Sequence, residues 1–272
     1  FKQNFPGKSI ADAVRFRLTS QTGIPFEIQD IELGWSKIST SEIVLRTPKW
    51  LAGIPDIRLL ILENLEVPFF SIITSGKAKV HGQVHEGSFR ISTELLTQKI
   101  LDLSIDSVQI ERVPLFSLVP YTFISGSLSA HIENINGLQQ QKAKFPEGTI
   151  KGNLKNARIR ISGGTALLDI QLPELVLSEI QFEVQLGRSI HIKKIYLQGS
   201  LEGIIEGTIQ LNEKHPQMSL IDLNIQVTPS PALKKGISSF STMLSTFQCG
   251  ETIKINLKGA LNRFNFPTRM KC

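Results

Sequence analysis

The stretch KIYLQGSLEGIIEGTIQLN, residues 194–212, decides the fold class of this chain. Apolar residues and glycines occupy its odd positions, whereas most of its even positions are polar. A period of two residues is typical of a β-strand that has one buried and one solvated face. The alternative is a hairpin that turns within the letters EGII, at residues 202–205. In both cases the apolar face needs a cover.

Three glycines, Gly199, Gly203 and Gly207, lie on the apolar parity of this stretch. Glycine in a strand removes side-chain volume and permits bending, so the spacing predicts a curved sheet with a concave apolar side. The alternative is that these glycines only relieve crowding. If the sheet is concave, its apolar side forms a candidate groove, with residues Phe182, Val184, Leu197, Leu201, Ile205 and Ile209.

The rest of the chain repeats the same pattern between short Gly, Asn, Ser and Pro signals. Few helical segments are long enough to connect parallel strands, so the pattern favours an antiparallel meander. We therefore predict an all-β-dominated fold, a long curved antiparallel meander sheet that forms an open groove or half-barrel. Helical spacing predicts two additional helices, an N-terminal one at 6–22 and a late amphipathic one at 231–248. The predicted organisation is a single elongated domain over residues 1–272.

Composition narrows the functional classes. The chain has 272 residues, of which 41% are hydrophobic and 20% charged, so it can bury a substantial core. The net charge is +6, but Lys and Arg are spread along the sequence, and the clustered basic face typical of a nucleic-acid-binding protein is not expected. No apolar run approaches the roughly 18 residues that cross a bilayer. Because the first residue is Phe1, we expect a processed product or a fragment.

Catalytic and metal-binding motifs are not found. His81 and His85 in HGQVHEG would face one another on a helix, but on the predicted strand they would lie about 13 Å apart, too far for one zinc ion. The letters GKS at residues 7–9 follow no strand and lack the first glycine of a phosphate-binding loop. We predict no catalytic residue, no metal and no cofactor, and hence a protein that is not an enzyme.

The two cysteines, Cys249 and Cys272, bracket the C-terminal segment. A disulfide closing a C-terminal hairpin would suit an oxidising compartment, and two unrelated free thiols are the alternative. A bridge across a loop of this length should stabilise the fold by roughly 3 kcal/mol.

The order of three segments resembles a known family. These are TSQTGIPFEIQDIELGW, then PDIRLLILENLEVPFFSIITSGKAKVHGQVHEGSF, then LDLSIDSVQIERVPLFSLVPYTFISGSLSAHIENI. Together with FPEGTIKGNLKNARIRI and INLKGALNRFNFP, they resemble the type II secretion system protein N family, and more distantly the AsmA-like envelope proteins. The resemblance implies a periplasmic protein anchored in the inner membrane, and an N-terminal anchor that is missing from this sequence. It supplies no catalytic residues.

Two hypotheses of function follow. The resemblance implies a non-enzymatic accessory component of a type II secretion system, with other secretion or envelope proteins as partners. The alternative is an AsmA-like lipid-binding or lipid-transfer module that holds phospholipid acyl chains in the apolar groove. A nucleic-acid partner is not expected.

Overall fold

The computed structural model describes most of the chain, in ranges separated by short gaps. The described residues are 7–22, 25–47, 56–94, 99–114, 122–136, 147–161, 173–212, 218–238, 244–260, 263–264, 268–270 and 272. The chain divides into two compact units, residues 1–120 and 121–272. The single elongated domain stays a prediction, and the two units are described in turn.

In its described residues, the first unit contains two α-helices and seven strands. They are α1 (Gly7–Thr22), β1 (Phe26–Ile28), β2 (Ile31–Leu33), β3 (Lys37–Arg46), β4 (Arg58–Pro68), α2 (Phe69–Ser75), β5 (Lys77–Val84), β6 (Gly87–Glu94) and β7 (Lys99–Gln109). Strands β1 and β2 both pair with β3, and β3 to β7 follow as antiparallel neighbours. The core of this unit includes Leu65, Ala78, Val84 and Phe89, each at most 7% exposed.

In its described residues, the second unit contains the helix α3 and ten strands. They are β8 (Thr122–Asn136), β9 (Glu147–Ile161), β10 (Leu175–Leu186), β11 (Ser189–Gly199), β12 (Leu201–Gln210), β13 (Leu220–Pro229), α3 (Pro231–Gly236), β14 (Gln248–Cys249), β15 (Thr252–Ala260), β16 (Arg263–Phe264) and β17 (Thr268–Arg269). Strands β8 to β13 pair in sequence order, and β15 pairs with β13. Every one of these pairs is antiparallel.

These registers confirm the predicted fold class, an all-β-dominated antiparallel meander with a few helices. In the described part of the second unit, no pairing joins β8 to β15, and the meander is therefore not closed into a barrel.

The predicted N-terminal helix is confirmed as α1, and residue 6, where the prediction began, lies outside the described residues. Ala11 is buried at 3% exposure, while residues 12–17 are exposed, so the helix packs on the protein along a narrow stripe. Helix α2 was not predicted. It follows directly from β4 at Pro68 and ends at Gly76, whose positive φ of 64° allows its N–H to bond the carbonyl of Ile72.

The late helix is shorter than predicted. Helix α3 begins at Pro231, and the Ser230 side chain accepts a hydrogen bond from the N–H of Leu233 at 3.3 Å, as an N-cap residue does. It ends at Gly236, and the predicted end at residue 248 is wrong. Gln248 belongs instead to β14, which pairs with β15, because strand pairing takes up the backbone groups there. Residues 239–243 lie outside the described residues.

The stretch 194–212 is neither one continuous strand nor a hairpin turning at 202–205. It is a hairpin that turns at Ser200, and Leu197 pairs with Gly203 across the turn. Because the turn is centred on an even-numbered residue, odd-numbered residues on both sides of it face the same way. This symmetry made the hairpin look like one strand in the sequence.

A disulfide joins Cys249 and Cys272, whose Cα atoms are 5.5 Å apart. It ties the end of the chain to β14, and β14 is itself paired with β15. The bridge therefore holds the C-terminal segment against the last long strand of the meander.

Gly207 provides a test of the backbone geometry of this meander. Its φ is 148°, and a Cβ placed on it would lie 2.1 Å from the carbonyl oxygen of Asp222 on the neighbouring strand. We expect Gly207→Ala to lower the free energy of unfolding by roughly 1–3 kcal/mol, because the side chain forces both a strained φ and a backbone shift. Urea unfolding followed by circular dichroism measures the change.

Gly187→Ala is the matched control for this substitution. A Cβ at Gly187 would meet its nearest neighbour, the carbonyl oxygen of Ser189, only at 3.6 Å. The control should therefore change the unfolding free energy by less than about 0.5 kcal/mol. Equal effects of the two substitutions would contradict a special role for Gly207.

Candidate functional site

One face of the second unit carries only apolar side chains and glycines along three cross-strand rows. Residues paired directly across an antiparallel sheet lie on the same face, so the registers assign the rows. The first row is Ala130, Gly152, Phe182, Ile195, Ile205, Ile225 and Ile255. The second is Ile132, Ile150, Val184, Ile192, Gly207, Leu223 and Leu257. The third is Leu128, Leu154, Ile180, Leu197, Gly203, Val227 and Ile253.

We call these three rows the aliphatic face. Each row crosses seven strands, which at about 4.8 Å per strand corresponds to about 29 Å. The apolar surface is thus continuous over six strand spacings. None of the residues in the three rows is polar or charged.

The aliphatic face stays continuous across three irregularities of register. Asn156, with φ 53°, is an extra residue in β9 relative to β8, and β10 has an extra residue near Ser178 relative to β11. A third shift lies between Ile192 and Ile195 of β11. An extra residue switches which parity points to a given face. Apolar residues therefore change parity at these points, while their side chains stay on one face.

The six candidate groove residues lie on one face of the unit. Phe182, Val184, Leu197 and Ile205 belong to the rows of the aliphatic face. Leu201 and Ile209 extend the face along β12, where they pair with Pro229 and Ile221 of β13. The structure brings together residues that the sequence singled out, and a concave shape stays a prediction.

Exposure of the aliphatic face changes along the strands. In the third row Leu154, Leu197 and Val227 are at most 9% exposed, whereas most residues of the other two rows are half-buried. Beyond the third row, Leu177 is 2% exposed and Ala157 is fully buried. The face is thus closed at this end. Ile221, beyond the second row, is also buried at 8% exposure, and most residues between are half-buried.

Helix α3 lies at the closed end. Its Leu233 is 7% exposed, and the Ser230 N–H that precedes the helix bonds the carbonyl of Ser200 in the β11–β12 turn at 2.9 Å. At the end of the helix, a Cβ on Gly236 would lie 3.0 Å from Pro173, which precedes β10. The helix therefore packs where β10 and β12 begin and β13 ends. The described part of α3 is too short to cover all three rows.

Two cross-strand contacts fill the space that glycines leave in the face. A Cβ on Gly152 would lie 2.6 Å from the ring of Phe182, its partner on β10. A Cβ on Gly203 would lie 2.9 Å from a methyl group of Val227, its partner on β13. Neighbouring side chains thus crowd the positions of Gly152 and Gly203. This crowding is compatible both with a curved sheet and with glycines that only relieve crowding.

The opposite face of the same strands is polar and charged. Lys258 Nζ lies 2.9 Å from Asp222, and Asn256 donates to the same carboxylate at 3.0 Å. These hydrogen bonds, that of Lys258 first and that of Asn256 second, hold the pKa of Asp222 below its usual value. Likewise the hydrogen bond from Lys193 lowers the pKa of Glu183. Charge is confined to this face, which leaves the aliphatic face uncharged.

The two histidines singled out in the sequence lie in the first unit, in different environments. His81 is on β5, and its Nε2 lies 3.2 Å from Glu66, whose pKa is lowered mainly by its hydrogen bond with Lys37. His85 is in the turn between β5 and β6, with φ 45°. Within the described ranges, no group of three or more His, Cys, Asp or Glu residues is arranged to hold a metal.

His85 gives the first unit a dependence on pH. Burial has the largest effect and lowers the pKa of His85. The negative charge of Glu63 has a smaller effect and raises this pKa, whereas the positive charge of Arg112 lowers it. Within the described part of the chain, its Nε2 atom is buried without a hydrogen-bond partner. The folded protein therefore resists protonation of His85 more than the unfolded chain does.

Acidification should accordingly destabilise the protein through His85. Below pH 6.5, the ordinary value, the unfolded chain binds a proton that the folded form excludes, so the free energy of unfolding falls as the pH decreases. We expect His85→Asn to reduce this dependence, since Asn tolerates positive φ and does not titrate. Urea unfolding on both sides of pH 6.5 measures it, and an unchanged slope in the variant would refute the assignment.

Comparison with known proteins does not place this chain in a family. No protein-family model, no curated protein and no solved structure matches it. Among the described residues, no helix is both long enough and apolar enough to cross a membrane. The aliphatic face is therefore the feature from which a function is argued.

Proposed function

We propose that this protein is a non-enzymatic lipid-binding protein, and that the aliphatic face of its second unit holds phospholipid acyl chains. The observation that carries the proposal is the lack of any polar side chain in the three rows across seven strands. A protein partner normally requires about one hydrogen bond per 100–200 Å² of interface, and these side chains supply none. An acyl chain has no polar group to satisfy.

The size of the face suits this ligand. Its rows extend about 29 Å across the strands. An acyl chain spans half of a hydrocarbon core about 30 Å thick, or about 15 Å, so the rows are long enough for it. Half-buried residues such as Ile205, Ile225 and Leu223 would gain burial from a bound chain. Burial of apolar surface is favourable at roughly 25 cal/mol per Å², which supports binding without directional contacts.

The proposal is tested with two adjacent isoleucines on opposite faces. Ile205 lies in the first row of the aliphatic face, while Ile204 pairs with Tyr196 and Gln226 on the polar face. Both are half-buried, so the two substitutions are matched in residue type and in burial. Ile205→Glu should reduce co-purifying phospholipid at least about tenfold, because the charge would be desolvated against acyl chains. Ile204→Glu should retain it.

Native mass spectrometry and lipid extraction of protein purified from a Gram-negative envelope measure the bound lipid. Circular dichroism identifies any variant that has not folded. A photoreactive phospholipid keeps the test independent of folding, since its adducts on the unmodified protein should map to β11, β12 and β13 side chains of the aliphatic face. Wild-type protein that neither carries lipid nor takes it up would refute the proposal.

A second proposal is an accessory role in a type II secretion system, in the periplasm and with an inner-membrane anchor. Its support is the order of segments described above, together with the Cys249–Cys272 disulfide, a bond that persists in oxidising compartments such as the periplasm. Secretion or other envelope proteins would be the partners.

Deletion of the gene for this protein in its native host tests this role. Export of a type II substrate should fall and be restored by the wild-type protein. If Ile205→Glu also restores export, the secretion role does not depend on lipid binding. Undiminished export in the deletion strain would contradict the secretion role.

A further inference from the structure

Among the described residues of the first unit, four large apolar side chains are at least 76% exposed, and one of them, Phe16 at 76%, lies on α1. Trp35, between β2 and β3, is 101% exposed, and Phe70 and Ile73 of helix α2 are 76% and 81% exposed. Exposure to this degree contrasts with the half-buried residues of the aliphatic face. We call Trp35, Phe70 and Ile73 the apolar tip.

The turn that carries Trp35 and the helix that carries Phe70 and Ile73 leave the sheet at the same end. Lys37 at the start of β3 pairs with Pro68 at the end of β4, and α2 follows Pro68 directly. Trp35 precedes Lys37 by two residues, so the β2–β3 turn and α2 leave the sheet at the same place. Helix α2 also lies against β3.

The chemistry of this end fits a lipid surface. The sequence of α2, FFSIITS, has no charged residue, and Lys77 follows immediately after its C-cap. The side chain of Lys37, at the other border of the tip, is 44% exposed and forms an ion pair with Glu66. Tryptophan and phenylalanine favour the interfacial region of bilayers, and lysines beside them interact with anionic headgroups. The net charge of +6 acts in the same direction.

We propose that the apolar tip inserts into the interfacial region of an anionic phospholipid bilayer, with Lys77 at the level of the headgroups. The tip belongs to the first unit, so this inference does not rest on acyl-chain binding by the second. Together the two proposals describe a protein that docks on a bilayer and carries lipid chains on a separate surface.

Tryptophan fluorescence tests the insertion directly. The chain has two tryptophans, so Trp50→Phe leaves Trp35 as the single reporter in the 272-residue chain. With vesicles of phosphatidylethanolamine and phosphatidylglycerol, the emission of Trp35 should shift to shorter wavelength and be quenched by lipids brominated on the acyl chains. Unchanged emission while the protein sediments with the vesicles would overturn insertion by the tip.

Vesicle sedimentation of tip variants provides the second measurement. Phe70→Ser combined with Ile73→Ser should weaken partitioning roughly tenfold or more, as expected for loss of two buried apolar side chains. Lys77→Glu should weaken binding to these vesicles and leave binding to neutral phosphatidylcholine vesicles unchanged.

Phe123→Ser is the matched control, since Phe123 is an exposed phenylalanine of the second unit at 50% exposure. It should bind vesicles as the wild type does. Equal losses in the control and in the tip variants, or no vesicle binding by the wild type, would refute the proposal. Lipid that still co-purifies with the tip variants would leave acyl-chain binding by the aliphatic face intact, so failure of one proposal is distinguishable from failure of the other.

Discussion

Alignment of apolar residues across antiparallel strands is the constraint on which the second unit depends. A slip of one residue in any strand would move its apolar side chains to the charged face and its charges to the aliphatic face. Pairs such as Ile205 with Ile225, and Asp222 with Lys258, each fit only one register. The two faces therefore reinforce one another in fixing the pairing, because both would be disrupted by the same slip.

The register shifts are compatible with this constraint because each one moves the parity of the apolar residues as well. In β11 the apolar positions change from Ile190 and Ile192 to Ile195 and Leu197 across the shift. Had the chain kept one parity throughout, half of the strand would face the wrong side. The aliphatic face stays continuous despite irregular pairing only because the parity of the apolar residues changes at each bulge.

Apolar surface is distributed differently in the two units, and this difference separates the two kinds of lipid contact that we propose. The aliphatic face is wide, partly buried and built on long strands, so it suits a ligand that lies along it. The apolar tip consists of three side chains on a turn and a two-turn helix, almost fully exposed and bordered by lysines. Such a small convex group is suited to insertion in a bilayer surface, where Trp35 and its neighbours would be surrounded by lipid.

The sequence by itself determined the all-β class, the antiparallel meander, the N-terminal helix and the shared face of Leu197, Leu201, Ile205 and Ile209. These features depend on periodicity, which is local and visible in the letters. Only the tertiary structure decided where strands turn, since a hairpin centred on Ser200 preserves the parity of a continuous strand. It also decided that residue 248 belongs to a strand and not to the late helix, because β14 pairs there with β15. The apolar tip was invisible in the sequence, since apolar residues at α2 resemble core residues until the exposed fraction of each side chain is known.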